Sequence, residues 1–345
     1  MMGPTHYNNP YDSSEQQMGL FDDEKSSKDR DAPSSIWHGS PVTRVEGPIE
    51  KIRTLIPEFE TRPFQLADNL GGQTESNKHY QCIVKLPLTE KEKEVPVGIV
   101  SNQYKLVQHS KVLNTALEAI EQAGISHNQM LAYLRLSSYG ERMALSLQLP
   151  PALNYAPTGD SPMALRLDCC NSVDGSTRFT AYLSWYRFSC KNSMALGIME
   201  TKIRRIHNVN LDVQDLGKVL QEGLINAESE KILFDKWRDI KIDTSQLSAW
   251  VNGEVRRKWG IKSAVRAYHI AKKGRDVNLM PPFEKGLPTE KKVKYGRPVA
   301  GIPAPAGDAF ALSQVIAWLA SHRREVQEEI DRIHDIPELM RDLTI

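Results

Sequence analysis

The sequence predicts an α+β fold: antiparallel β-hairpins with a packed helix, followed by a helical C-terminal region. Three observations lead there. Apolar residues alternate with polar ones from His79 to about Ser189, turn-forming dipeptides punctuate that stretch, and beyond Asn208 the apolar spacing lengthens to the helical period. The 345 residues suit two cooperating regions. Their 40% hydrophobic and 25% charged content excludes collagen-like, fully disordered and disulfide-scaffold chains.

Residues 1–45 are rich in Ser, Asp, Asn and Gln with few large aliphatic side chains, so a flexible tail is expected there. That leaves 46–208 as a strand-rich α+β core domain and 209–345 as a helical, basic region. Residues 49–64 are expected to dock on the body without a long regular element, because of Pro57 and Pro63. Tyr80, Cys82, Val84 and Leu86 alternate and stop at Pro87, which reads as a strand. Residues 97–100 and 104–107, joined by Ser101-Asn102-Gln103, read as a hairpin. Val112, Leu113, Ala116, Leu117 and Ile120 then recur at helical spacing, with Ser110 as the expected N-cap and Gly124 as the stop.

Two further hairpins are expected, over residues 131–149 around Tyr139-Gly140 and over 163–189 around Asp174-Gly175. The outgoing strand of the second puts Phe179, Ala181, Leu183 and Trp185 on one face, with Arg178, Thr180, Tyr182, Ser184 and Tyr186 on the other. Val213, Leu216, Leu220, Leu224 and Ala227 form a helical stripe on a segment reaching towards Trp237, and helices are expected over 245–258 and 261–273. The prolines of residues 277–307 predict a long irregular loop. One last helix is expected from Asp308 to Pro337, lined by Leu312, Val315, Leu319, Val326, Ile330 and Ile333.

The net charge of +1 conceals an uneven distribution: residues 1–45 carry four positive and seven negative charges, whereas residues 252–300 carry thirteen and four. No stretch approaches the roughly 20 apolar residues of a membrane span, and Asp22, Asp23 and Glu24 do not fit a signal peptide, so a cytoplasmic protein is expected. The cysteines Cys82, Cys169, Cys170 and Cys190 form no C-x-x-C pair. Cys169 and Cys170 are neighbours on an extended segment and point to opposite faces, as small buried residues do, rather than towards one metal.

Three blocks stand in order: Val97-Gly98-Ile99-Val100-Ser101-Asn102-Gln103-Tyr104-Lys105, then Asn171-Ser172-Val173-Asp174-Gly175, then Arg187-Phe188-Ser189-Cys190-Lys191-Asn192. In these the chain resembles the phage and plasmid-like family known as domain of unknown function 932. Ala309-Phe310 through Trp318-Leu319-Ala320-Ser321-His322-Arg323 is similar to that family's closing helix. The resemblance covers roughly residues 75 to 335. It implies a mobile-element setting and carries over no catalytic residue.

For function, the leading candidates are basic. Lys262, Arg266, His269 and Lys273 share one helix face beside Ile261, Val265 and Tyr268, with Arg256, Arg257 and Lys258 before them and Lys291, Lys292, Lys294 and Arg297 after. Such a face can follow phosphates in a salt-dependent way, with Trp259, Phe283 and Tyr295 as stacking surfaces. The simpler reading is a solvated charged face. A second candidate is the polar, aromatic hairpin face of Arg178, Tyr182 and Tyr186, with Arg187 near Cys190 and Asn192, and with Arg204 and Arg205 downstream. Hairpins joined to a helix with such a face resemble the single-strand annealing proteins of phage recombination, a likeness of fold. Its alternative is that Tyr182 and Tyr186 form a second core face under the C-terminal helices.

Asn171, Ser172, Asp174 and Gly175 read as turn chemistry, and His207 beside Arg204 and Arg205 as a basic strand end. Gly71-Gly72-Gln73 lacks the lysine of a phosphate-binding loop. No catalytic residue, metal or cofactor is assigned. The expected function is binding of nucleic acid, chiefly single-stranded DNA, in recombination, replication or protection of incoming DNA. The alternative is a protein-binding inhibitor or adaptor that engages a host defence or replication protein through the sheet face or acidic tail. A hydrolase or nuclease would need Asp168, Asp174 or His207 to converge with other charged groups. Self-association is a further expectation, and a membrane partner is not.

Overall fold

The computed structural model describes residues 35–65, 76–128, 130–156, 162–187, 192–194, 203–205, 213–278 and 293–344. The last residues of the expected tail belong to the fold: β1 (Ile36–Trp37) and β2 (Ser40–Pro48) are strands, and Trp37 is fully buried. Thus the boundary at residue 45 falls too late, because one large ring and the strand behind it repay their ordering. The short α1 (Ile49–Arg53) follows. Next comes a three-stranded antiparallel sheet of β3 (Phe59–Gln65), β4 (Ser76–Lys85) and β5 (Val95–Ser101). Pro63 lies in β3, an edge strand, where its missing N–H is tolerated.

The partner of β5 is β4, and residues 104–107 are not a strand, which corrects the first expected hairpin. That segment instead packs inward. Tyr104 and Leu106 lie against the cluster of Phe59, Ile83, Val100 and Val173. The next helix, α2 (His109–Gln122), starts one residue before the expected cap Ser110. Gln108 takes the cap position, and its amide oxygen accepts from the Phe59 N–H at 3.1 Å.

The main sheet contains β6 (Leu131–Ser137), β7 (Arg142–Gln148), β8 (Met163–Ser172) and β9 (Phe179–Arg187). Its order is β1-β2-β6-β7-β8-β9, with β10 (Asn192–Met194) and β11 (Ile203–Arg205) each pairing with one end of β9. Both expected hairpins are present, and the Asp174-Gly175 turn has Gly175 at φ 74°.

Beyond the sheet lie α3 (Val213–Asp239), α4 (Thr244–Trp250), a π-helical turn (Val251–Val255) and α5 (Arg256–Lys273). β12 (Arg275–Asn278) pairs with β13 (Lys294–Pro298), so part of the expected loop is a hairpin. The expected last helix is two: α6 (Ala309–Ser321), capped by Asp308, whose carboxylate accepts from the Ala311 N–H at 2.8 Å, and α7 (Val326–Thr344). α7 continues through Pro337 because Ile336, Leu339 and Met340 are buried around it, and their burial outweighs a lost backbone bond.

The main sheet is covered on both faces. Met143, Leu145, Leu147, Leu165, Leu167, Cys169, Ala181, Leu183 and Trp185 belong to one hydrophobic core with Val112 and Ile120 of α2, Leu220 and Phe234 of α3 and Phe310 of α6. That core joins the regions 46–208 and 209–345. The opposite face carries Cys170 and Ala144, packed with Trp37 and with Val326 and Ile330 of α7. Cys169 and Cys170 therefore separate to opposite faces, both buried.

Candidate nucleic-acid interface

Tyr182 and Tyr186 are buried, which places them in the covered second face. His334 of α7 lies 4.3 Å from the Tyr182 ring, and the Arg166 guanidinium sits between the rings of Tyr133 and Tyr186, 3.9 and 3.3 Å from their centroids. An exposed stacking platform on this face, expected from Tyr182 and Tyr186, is corrected. Burial pushes the Tyr182 phenol well above its usual range. Arg178 is exposed near the hairpin turn, while Arg187 is buried and donates to the Gly301 carbonyl at 2.7 Å. Arg204 and Arg205 lie on β11, with side chains outside the described residues, as are residues 188–191, His207, Phe283, Lys291 and Lys292.

Asp168 and Asp174 have separate partners. Asp168 accepts from the hydroxyls of Ser146 and Ser184 within the covered face. Asp174 accepts from Arg142 at 2.7 Å and from the Ser176 N–H at 3.0 Å in the hairpin turn. The convergence that a hydrolase needs is not formed by these two.

The second family-like block is structural. The Tyr104 hydroxyl donates to the Ser172 carbonyl at 3.0 Å, and the Asn171 amide donates to the Val107 carbonyl at 2.9 Å while lying 2.8 Å from His109 Nδ1. A Cβ added to Gly98 would stand 2.8 Å from Asp174 Cα, so the absence of a side chain lets β5 approach the turn. The first two blocks thus clamp the three-stranded sheet onto the main one.

The basic helix is divided. Gly260 at φ 81°, ψ 168° breaks α5, a conformation suited to glycine, so the expected separation at this point is present. Before the break, Arg256 is exposed, Arg257 pairs with Glu254, and Lys258 pairs with Glu338 and lies 3.4 Å from Asp335. The hydrogen bond from Lys258 holds the Glu338 carboxyl below its usual range. After the break, Lys262 and Lys273 are exposed, but His269 is 1% exposed and its Nδ1 lies 3.0 Å from the Tyr295 hydroxyl. Arg266 grips Asp276 with two bonds of 2.8 Å. A continuous cationic face along Lys262, Arg266, His269 and Lys273 is therefore corrected: the β12–β13 hairpin covers its middle.

What the fold assembles instead is a cleft of about 560 Å³, lined by Trp259, Gly260, Ile261, Lys262, Ser263 and Arg266 of α5, by Asp276, Val277 and Asn278 of β12, and by Arg323 and Arg332. Arg323, between α6 and α7, donates Nη2 to both oxygens of Glu328 at 2.8 Å. Arg332 of α7 donates to Ser263 Oγ at 2.9 Å, pairs with Glu328 at 2.9 Å, and lies 5.0 Å from the Trp259 ring centroid. Burial, then the nearby Arg323 and Arg266 charges, push the Arg332 guanidinium down to about 10, against the pull of Glu328. Arg266, Arg323 and Arg332 thus crowd one wall while sharing the carboxylates of Asp276 and Glu328.

Arg323 and Arg332 were not among the expected site residues. Arg323 ends the closing-helix block, and Arg332 sits beside the stripe of Ile330 and Ile333, a position that a linear count of charge does not join to residue 266. Among the described residues, no group of three or more His, Cys, Asp or Glu side chains could hold a metal ion, and no helix is long and apolar enough to cross a membrane.

No curated protein and no solved structure matches the chain. The family model described as domain of unknown function (DUF932) matches residues 96–283, and the chain belongs to that family.

Proposed function

We propose that the protein binds nucleic acid through its phosphates, with the cleft of Lys262, Arg266, Arg323 and Arg332 as the contact. The observation that carries this reading is the gathering of these cations from α5, the α6–α7 connection and α7 around one opening. A space of about 560 Å³ is the size of a small-ligand pocket and suits a nucleotide or two of a single strand better than a duplex. The proposed setting is a mobile element, in recombination, replication or protection of incoming DNA.

Mobility-shift measurements with single- and double-stranded oligonucleotides at two salt concentrations test this. Retention of the single strand at low salt, weakened by added salt and by Lys262→Glu with Arg323→Gln, is the expected result. Failure to bind at low salt, or full binding by the double variant, removes the proposal.

A second reading, a protein-binding module, is favoured by Ile225 and Ile232 of α3, which are 72% and 60% exposed. Pull-down from nuclease-treated lysate separates the two readings, because a direct protein partner survives that treatment.

A further inference from the structure

We infer that this cleft selects a terminal phosphate monoester of a single strand over an internal phosphodiester, an inference that rests on the nucleic-acid reading above. A groove that tracks the interior of a strand spreads its cations along successive phosphates. Here they are bunched. Arg323 and Arg332 reach the same carboxylate, Glu328, at 2.8 and 2.9 Å, and Arg266 is near enough to disfavour the charge on Arg332. Three arginines face two carboxylates, Asp276 and Glu328. A diester brings one negative charge to that point, whereas a monoester brings about 1.5 to 2 near neutral pH, with three acceptor oxygens.

The donors also fit such a group. Arg323 Nε is buried with no hydrogen-bond partner among the described residues, a donor that a phosphate oxygen satisfies once the Arg323 side chain turns towards the cleft. Ser263 Oγ and the helical turn restarted after Gly260 form part of the same wall. No base is read there by stacking on Trp259: the residue is 8% exposed, and its ring donates Nε1 to Asp335 at 2.8 Å and lies against Arg332. The cleft holds the terminal nucleotide by its phosphate without stacking the base on Trp259, so an end is recognised whatever its sequence.

Fluorescence anisotropy of the full chain tests this with short mixed-sequence single strands in two pairs: 5′-phosphate against 5′-hydroxyl, and 3′-phosphate against 3′-hydroxyl. At pH 7.5 one terminal phosphate is expected to tighten binding about tenfold or more, the pair showing the advantage identifying which end is held. The advantage should shrink as pH falls through about 6, where the monoester takes up its second proton. It should also disappear in Lys262→Glu, a change at an exposed position, and in Arg323→Gln, with circular dichroism confirming that both variants fold. Equal affinity for phosphorylated and hydroxyl ends overturns the inference and leaves the nucleic-acid reading standing. Absence of binding to every oligonucleotide removes both. A phosphate advantage that persists in both variants places the end elsewhere and also overturns it.

Discussion

Glu230 offers a quantitative test of the packing between α3 and the main sheet. Its carboxylate accepts from Trp185 Nε1 at 2.7 Å, and burial raises its pKa from 4.5 to about 8, with the Trp185 bond opposing that rise. The folded-state value stands above the unfolded one, so the folded protein holds this proton more tightly. Stability from this group is therefore fully present below about 4.5 and is lost as pH rises towards about 8. At roughly 1.4 kcal/mol per pH unit the shift sets a ceiling of about 5 kcal/mol, which residual solvent contact reduces to about 2 to 3. Glu230→Gln keeps an acceptor for Trp185 and removes the charge. In urea unfolding at pH 9 the variant should exceed the wild type by about 2 to 3 kcal/mol, and at pH 5 by less than about 1 kcal/mol. A difference that is the same at both pH values would refute the reasoning, because a pure packing effect does not titrate.

Gly98→Ala should destabilise the protein by about 1 to 3 kcal/mol in thermal unfolding, since the new Cβ meets Asp174 Cα at 2.8 Å and neither backbone has room to yield. Asn171→Ala should cost about 2 to 3 kcal/mol by the same measurement, because it leaves the Val107 carbonyl and His109 Nδ1 without this buried amide. Asp276→Asn should raise oligonucleotide affinity severalfold at low salt, read by anisotropy, because Arg266 loses its competing carboxylate and the cleft gains net positive charge. An unchanged affinity would mean that Arg266 does not meet the ligand.

The fold was largely legible because burial imposes a period. The alternation on β8 and β9 and the stripe of Leu216, Leu220 and Ala227 each report a face turned towards the core. Failures arose where a non-local partner decides. Residues 104–107 alternate like a strand yet spend their polar groups on Asn171 and Ser172, about 65 residues away. For Tyr182 and Tyr186 the strand alone leaves an exposed face and a second core face both open, and the packing of α7 decides for the core. The cleft was half legible for the same reason: Lys262 and Arg266 share a helix face, but Arg323 and Arg332 join them only through tertiary packing. Charge counts in a linear window likewise overstated the basic helix, whose arginines meet Glu254 and Asp276 in the folded chain.

The first described strand and the segment before α7 are joined directly: the Ile36 N–H donates to the Arg324 carbonyl at 2.9 Å, and the His38 N–H to Glu325 at 2.9 Å, across 287 residues. Contacts so far apart in sequence carry a large loop-closure cost, and on the ribosome they close only after residue 325 has emerged. Until they close, the rear of the main sheet has no cover and Arg323 and Arg332 have no place beside Arg266. A chain interrupted before about residue 320 would thus leave Tyr182 and Tyr186 without α7 over them and would lack Arg323 and Arg332, two of the four cations of the proposed cleft.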